Sequence, residues 1–422
     1  MKKFIANLVK YPILIIFIIN VILFLPRAAF LDSDTSMRAI LTKIGVDKSG
    51  DGVEVSALTF VPTPNLNYQE NYKLINATGA TVADAIYKIG YYAGKKAALN
   101  LVDAIVVGEE IAKSDLLTCL DGLARTKNLS NNTSLICTND TAKNFLLASL
   151  NLNAASDLNI EELVSYSKQN IYINESNLED FYKGYFYPTK VSSMGYIDLE
   201  SGDTGLKTKE NDSSGNEVSS SGDSGSPMAA NSENSGEKPK NTIKNEGKVA
   251  VFKNGSLKVV LSPAELKGLN WISRNYKRTS VSIKNVNDDT FDGANLTFRV
   301  SQKRVVNNVY FAGNVPVFES NIHLSLLLDE AHQNTIDEKM MKSQTVNLSS
   351  EIYNKLNEQI KKEFSDGLSV LRENRVDVIN SYNLFENRTG DRFEKFLKSL
   401  DDPDDFLNYI IFKIKVDPVI VL

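Results

Sequence analysis

Two histidines, two cysteines and a few acidic clusters are the residues of this sequence whose types could do chemistry. His323 falls in an alternating strand beside Ile322 and Leu324, and His332 falls in the polar stretch 329–337. Neither has a second ligand at metal-binding spacing, so both read as surface or satisfied histidines. Glu109 and Glu110 have the look of an acid and base pair, but acidic residues at a helix start are what the helix dipole selects. The run Asp401-Asp402-Pro403-Asp404-Asp405 has the charge to draw a cation, and an acidic loop closing a helix is the simpler reading. The turn Asp47-Lys48-Ser49-Gly50-Asp51-Gly52 is superficially like a calcium loop. Its twelfth position is Leu58, where a bidentate carboxylate is needed, so it reads as a turn. The sequence holds no Gly-x-Ser-x-Gly, phosphate-binding loop or dinucleotide fingerprint. It therefore predicts no catalytic, cofactor-binding or metal-binding residue, no cofactor, and a protein that is not an enzyme.

Cys119 and Cys137 are too few for a disulfide-dense scaffold or a four-cysteine metal cluster. Cys119 shares the apolar face of Leu116, Leu120 and Leu123 on an expected helix, and Cys137 alternates with Leu135 in an expected strand. Both read as core residues, with one bridge between them left open. The net charge of -5 is mild for 422 residues, which argues against nucleic acid as a partner.

Whatever these residues do, they do it outside the cytoplasm. Lys2, Lys3 and Lys10 precede an apolar run from Tyr11 to Leu25, which taken from Phe4 makes a segment of 22 residues. As a helix this segment is about 33 Å long, enough to span the hydrocarbon layer. The lysines place the start of the chain in the cytoplasm and everything after Arg27 beyond the membrane. A cleaved signal peptide is the competing reading, but Pro26-Arg27-Ala28-Ala29-Phe30 lacks a clean small-x-small box, which favours an uncleaved signal anchor.

The elements that must position the remaining residues read as multidomain α/β (α+β), with mixed sheets and packed helices behind one N-terminal transmembrane helix. Residues 1–30 are the anchor and 31–200 an α/β domain. A polar linker spans 201–247, and 248–422 form a second domain divisible into two subdomains. In the first domain a hairpin is expected from strands at 39–46 and 53–59, then a helix capped by Thr81 and a buried strand at 104–107. Helices at 109, 116–125, 141, 160–167 and 178–186 alternate with strands at 134–138 and 194–199. Ser, Gly, Asn and charged residues dominate 201–247, a composition that cannot offset the entropy of ordering it, so it reads as disordered. Beyond it come strands at 249–252 and 257–261 around Asn254-Gly255, and a helix opened by Ser262-Pro263. Strands through Leu296 and Leu324 follow. Ile352, Leu356, Ile360, Phe364 and Leu368 make a helical stripe. A helix at 393–400 and a strand at 409–416 close the chain.

Several fragments together carry a family resemblance. Gly45-Val46-Asp47-Lys48, then Gly108-Glu109-Glu110-Ile111-Ala112-Lys113, Leu120-Asp121, Ala124-Arg125 and Ala142-Lys143-Asn144-Phe145-Leu146 resemble successive segments of the GerAC-like, or Ger(x)C, spore germination proteins. The stretch 249–257, then Leu261-Ser262, Glu265, Gly268-Leu269 and Trp271, is similar to the opening of their C-terminal domain. The resemblance implies a non-enzymatic, extracytoplasmic subunit of a germinant receptor on the inner spore membrane. It would work with integral-membrane A and B subunits in nutrient-triggered germination. Members of the family carry a lipid-modified cysteine, and no cysteine lies near residues 20–35 here, so the apolar run itself must be the anchor. An exported ligand-binding or adhesion module unrelated to germination is the alternative.

Overall fold

The computed structural model describes residues 20, 38–61, 71–114, 116–126, 128–155, 177–200, 242–273, 279–332 and 349–421. The expected anchor helix, the expected helix at 160–167 and linker positions 201–241 lie outside these residues. Among the described residues no helix is long and apolar enough to cross a membrane.

A tight hairpin opens the fold. β1 (Arg38–Ser49) and β2 (Gly52–Phe60) pair antiparallel across a turn in which Gly50 has φ +56°, a conformation glycine adopts without a Cβ clash. β3 (Tyr72–Gly79) adds a strand beyond β2. α1 (Val82–Tyr92), capped by the Thr81 hydroxyl on the Asp84 N–H, lays Val82, Ala85, Ile86 and Ile89 on the sheet. The chain then returns through β4 (Lys96–Ala98) and β5 (Ala104–Val107), both parallel to β1. α2 (Glu109–Lys113), α3 (Leu116–Ala124), β6 (Ser134–Thr138), α4 (Ala142–Ala155), α5 (Leu178–Phe186) and β7 (Val191–Glu200) continue the alternation. The antiparallel strands β8 (Thr242–Lys253) and β9 (Ser256–Leu261) complete a sheet of order β3-β2-β1-β5-β6-β7-β8-β9, with β4 beside the start of β1.

Helices cover both faces of this sheet. Ile105 and Val107 pack toward α1, α2, α3 and α5, whereas Ala104 and Val106 pack toward Phe145 and Leu146 of α4. Successive strand residues point to opposite faces, so a strand covered on both sides is apolar at every position, as β5 is.

The second sheet is built on a long hairpin. After α6 (Pro263–Asn270), closed at its start by a Ser262–Glu265 capping box, come β10 (Ser280–Val286), β11 (Ala294–Ala312) and β12 (Val315–His332). α7 (Ser350–Asn374) buries Ile352, Leu356, Ile360, Phe364 and Leu368 against this sheet. α8 (Ser381–Thr389), α9 (Asp391–Lys398), a 3-10 turn (Pro403–Asp405) and α10 (Phe406–Tyr409) lead to β13 (Ile411–Ile420), parallel to β12. The molecule is thus a multidomain mixed α/β protein with two sheets and packed helices.

Two sequence expectations are corrected at element ends. Positions 242–247, expected in the linker, open β8, with Ile243 opposite Leu199 and Lys244 opposite Asp198. Cross-strand ion pairs hold this part of the strand: Lys244 to Glu200 at 2.9 Å and Lys248 to Asp198 at 2.8 Å. A strand held by charge carries no apolar period to detect. The last strand runs to Ile420 and starts after Tyr409, which ends α10. Pro418 is accommodated because β13 is an edge strand.

Candidate functional site at the domain junction

The motif residues of the first domain converge on one structural device. At the end of β1, Asp47 turns inward and is 5% exposed. Its carboxylate accepts the backbone N–H groups of Ala142 at 2.6 Å and Lys143 at 3.0 Å, so it caps α4 from a distant strand. Burial pushes its carboxyl up, against the lowering pull of those two amides. A Cβ on Gly45 would lie 2.9 Å from Ala142 Cβ, and one on Gly108 would lie 2.1 Å from Asp47 Oδ1. Gly45, Asp47 and Gly108 are therefore one unit, and the Asp47 carboxylate is engaged within the fold.

The motif residues of the second domain form another. A Cβ on Gly268 would meet the Glu363 carbonyl oxygen at 1.9 Å, and one on Gly367 would meet the Glu265 carbonyl oxygen at 2.7 Å. Two glycines thus let α6 and α7 touch backbone to backbone. Trp271, fully buried, donates its indole N–H to Glu363 at 2.7 Å, and Lys267 pairs with the other oxygen of the same carboxylate at 2.9 Å. Lys303 donates to the Asn270 carbonyl at the end of α6 at 2.6 Å, and burial pushes its ammonium down to about 7.

The other candidate residues stay apart. Glu109 pairs with Lys113 one turn later at 2.7 Å. Cys119 and Cys137 are both buried and neither forms a disulfide, which closes the bridge left open by the sequence. Burial pushes the Cys137 thiol up to about 12, far from thiolate reactivity. His323 Nδ1 lies 3.0 Å from Asp417 on the surface, and His332 ends β12. Among the described residues no group of three or more His, Cys, Asp or Glu is placed to hold a metal ion.

A polar cleft lies where the two domains meet. Residues 187–193 face the loop 375–380 across a hollow of about 310 Å³, lined by Asp180, Tyr187, Thr189, Ser192, Asp377 and Asn380. A smaller hollow of about 120 Å³ shares Thr189 and Asp377 with it and adds Lys253, Arg375 and Asp404. Asp377 is 6% exposed and accepts the N–H groups of Ser381 at 3.0 Å and Tyr382 at 2.7 Å, the first turn of α8. Burial pushes its carboxyl up. Arg375 and Asn380, on either side of it, hold left-handed backbone at φ +54° and +59°. Tyr187 accepts from the Asn383 amide at 3.1 Å, joining the domains across the cleft.

The acidic run at 401–405 closes this region rather than reaching for an ion. Arg375 lies 2.6 Å from Asp402 and 3.4 Å from Asp405. Lys253 pairs with Asp404 at 2.8 Å and donates to the Arg375 carbonyl at 2.9 Å. The cleft offers hydrogen-bond donors and acceptors without a histidine or cysteine, an arrangement suited to holding a joint or a small polar molecule. Sequence reasoning found the acidic run and missed its partners. Arg375 sits on a helix end and Lys253 at a hairpin, and neither position carries a signal that the other is near.

Comparison with known proteins adds the family. A model described as the spore germination protein N-terminal domain matches residues 33–199. A model described as the spore germination B3/GerAC-like C-terminal domain matches residues 247–420. No curated protein matches the chain. A crystal structure described as that of the GerBC protein is similar over 90% of this chain and 97% of that one, at 13% identity and a TM-score of 0.47. The two family models lie in the order the motifs predict and between them span most of the sequence, so the chain belongs to the GerAC-like spore germination proteins, the family of germinant-receptor C subunits.

Proposed function

We propose that the chain is a membrane-anchored, extracytoplasmic C subunit of a spore germinant receptor, working without catalysis beside integral-membrane A and B subunits on the inner spore membrane. The observation that carries this reading is the match of both family domains, in order, to residues 33–199 and 247–420. Two further observations support it. The segment from Phe4 to Leu25 behind Lys2 and Lys3 has the length and flanks of a signal anchor. Within the folded part, Gly45, Asp47, Gly108, Gly268 and Trp271 all serve packing or capping, as suits a subunit that works through its shape.

Detergent extraction of spore inner membranes tests the assembly. A tagged chain should co-purify with multi-span A and B subunits, and alkaline washing should leave it in the membrane pellet. Purification free of both subunits contradicts the receptor assignment, and release of intact chain by the wash contradicts the anchor.

A further inference from the structure

The strands of the first domain have two very different ends. Parallel strands β1, β3 and β4 all start at one rim, where β2 finishes and α1 delivers its last residues. Arg38 stands opposite Lys96 in the β1–β4 register there. Around them the surface is aromatic and basic. Tyr91 is 79% and Tyr92 62% exposed, their rings in edge contact at 6.2 Å, and Val61 at the end of β2 is 40% exposed. Tyr87, one turn up the same helix, is 77% exposed. Arg38, Lys95 and Lys96 are all exposed, while the nearest described carboxylate along β5, Asp103, faces Lys43 at 3.5 Å. The opposite ends of the same sheet carry Asp51, Glu109, Glu110 and Asp140. On its β3-β2-β1-β4 side the first rim is basic and aromatic, whereas the far end mixes its carboxylates with Lys48, Lys113 and Lys143. The junction cleft with Asp180 and Asp404 lies at the β7–β8 side of that first rim.

Position in the chain says what the basic rim meets. The apolar run ends at Leu25 and β1 begins at Arg38, so the chain between them reaches at most roughly 45 Å even when fully extended. We propose that this rim is the lipid-facing end of the protein and rests on an anionic bilayer surface, with Tyr91 and Tyr92 at headgroup level. Arg38, Lys95 and Lys96 then lie beside lipid phosphates. The proposal rests on the signal-anchor reading and goes beyond it by giving the domain an orientation. Tyrosines favour the membrane–water boundary because the ring is apolar and the hydroxyl wet, and basic side chains within a Debye length of an anionic leaflet are drawn to it.

The test uses the full chain reconstituted in vesicles. An environment-sensitive fluorophore is placed at Tyr92→Cys or, at the far rim, at Asp51→Cys, and quenched by a nitroxide on lipid headgroups. The native cysteines are buried and do not compete for label. In vesicles containing phosphatidylserine, quenching at position 92 should exceed that at 51 at least threefold. It should fall at least twofold on the double change Lys95→Glu, Lys96→Glu. Unchanged thermal unfolding of each variant shows that the fold is intact. Equal quenching at 92 and 51, in a chain that floats with vesicles and resists alkaline washing, overturns the orientation and leaves the anchor standing. Failure to float overturns the anchor and the orientation with it. Quenching at 92 that is unchanged in neutral vesicles overturns the anionic surface. Shielding of 92 only when A and B subunits are co-reconstituted assigns the rim to a protein partner instead.

Discussion

Asp47 does for α4 what a residue at the helix's own start would ordinarily do, across a separation of 95 positions. Removing its carboxylate in Asp47→Ala leaves one buried and one partly buried N–H group without this acceptor and should cost about 2 kcal/mol in urea unfolding. Gly108→Ala drives a methyl into the same oxygen and should cost a comparable amount. Because both act on one contact, the double variant should lose clearly less than the sum of the two, which a double-mutant cycle reads directly. Additive losses would mean the two residues act separately. The sequence marks Asp47 as notable, in a motif and at the head of a calcium-like turn, yet says nothing of its partner. A cap supplied from elsewhere in the chain has no local spacing to reveal it. Lys303 offers a pH signature. Its folded value of about 7 lies below the ordinary lysine value, so between them the unfolded chain holds more protons than the folded one. Stability should therefore rise as pH increases from about 7 toward 10, and Lys303→Met should lack that rise in thermal unfolding followed across the same range.

At the scale of elements, the contact between α6 and α7 sets how the second domain closes. Gly268→Ala would place a methyl against a main-chain carbonyl that no rotamer change can move. The helices must separate, uncovering Trp271, and the variant should lose about 3 kcal/mol or more by chemical denaturation, with increased tryptophan solvent exposure as the spectroscopic sign. A loss under about 1 kcal/mol would show that the helices can slide apart freely. The elements that the sequence makes legible are those whose burial is one-sided and regular. α7 shows its fourfold stripe, and Ser262-Pro263 announces α6. Others are hidden for physical reasons. β3 is an edge strand whose one fully buried position is Ala77, β10 is interrupted by a bulge before Val286, and the start of β8 is held by ion pairs. α8 is short and buries little beyond Ser381 and Phe385.

For the whole molecule, β8 removes the simple boundary that composition draws near residue 248. Ala250 and Phe252 belong to the core of the first domain and Val249 and Val251 to that of the second. The domains share a strand, and Lys253, Arg375 and the acidic run clasp them beside it. Unfolding of one should therefore pull the other, and calorimetry should give a single transition with calorimetric and van't Hoff enthalpies in agreement, where loosely joined domains give two. The family fragments were readable in order because they are the residues that caps and close packing require. The cleft was not, because it exists only once residues near 190 and 377 are brought together.

The central claim is that this chain is the C subunit of a germinant receptor. It is tested most directly in spores whose other C subunits have been removed, by following the fall in optical density after nutrient addition with and without this chain. Spores lacking it should fail to respond to the nutrient, and the full chain supplied in trans should restore the response. Equal germination kinetics in its presence and absence would contradict the assignment.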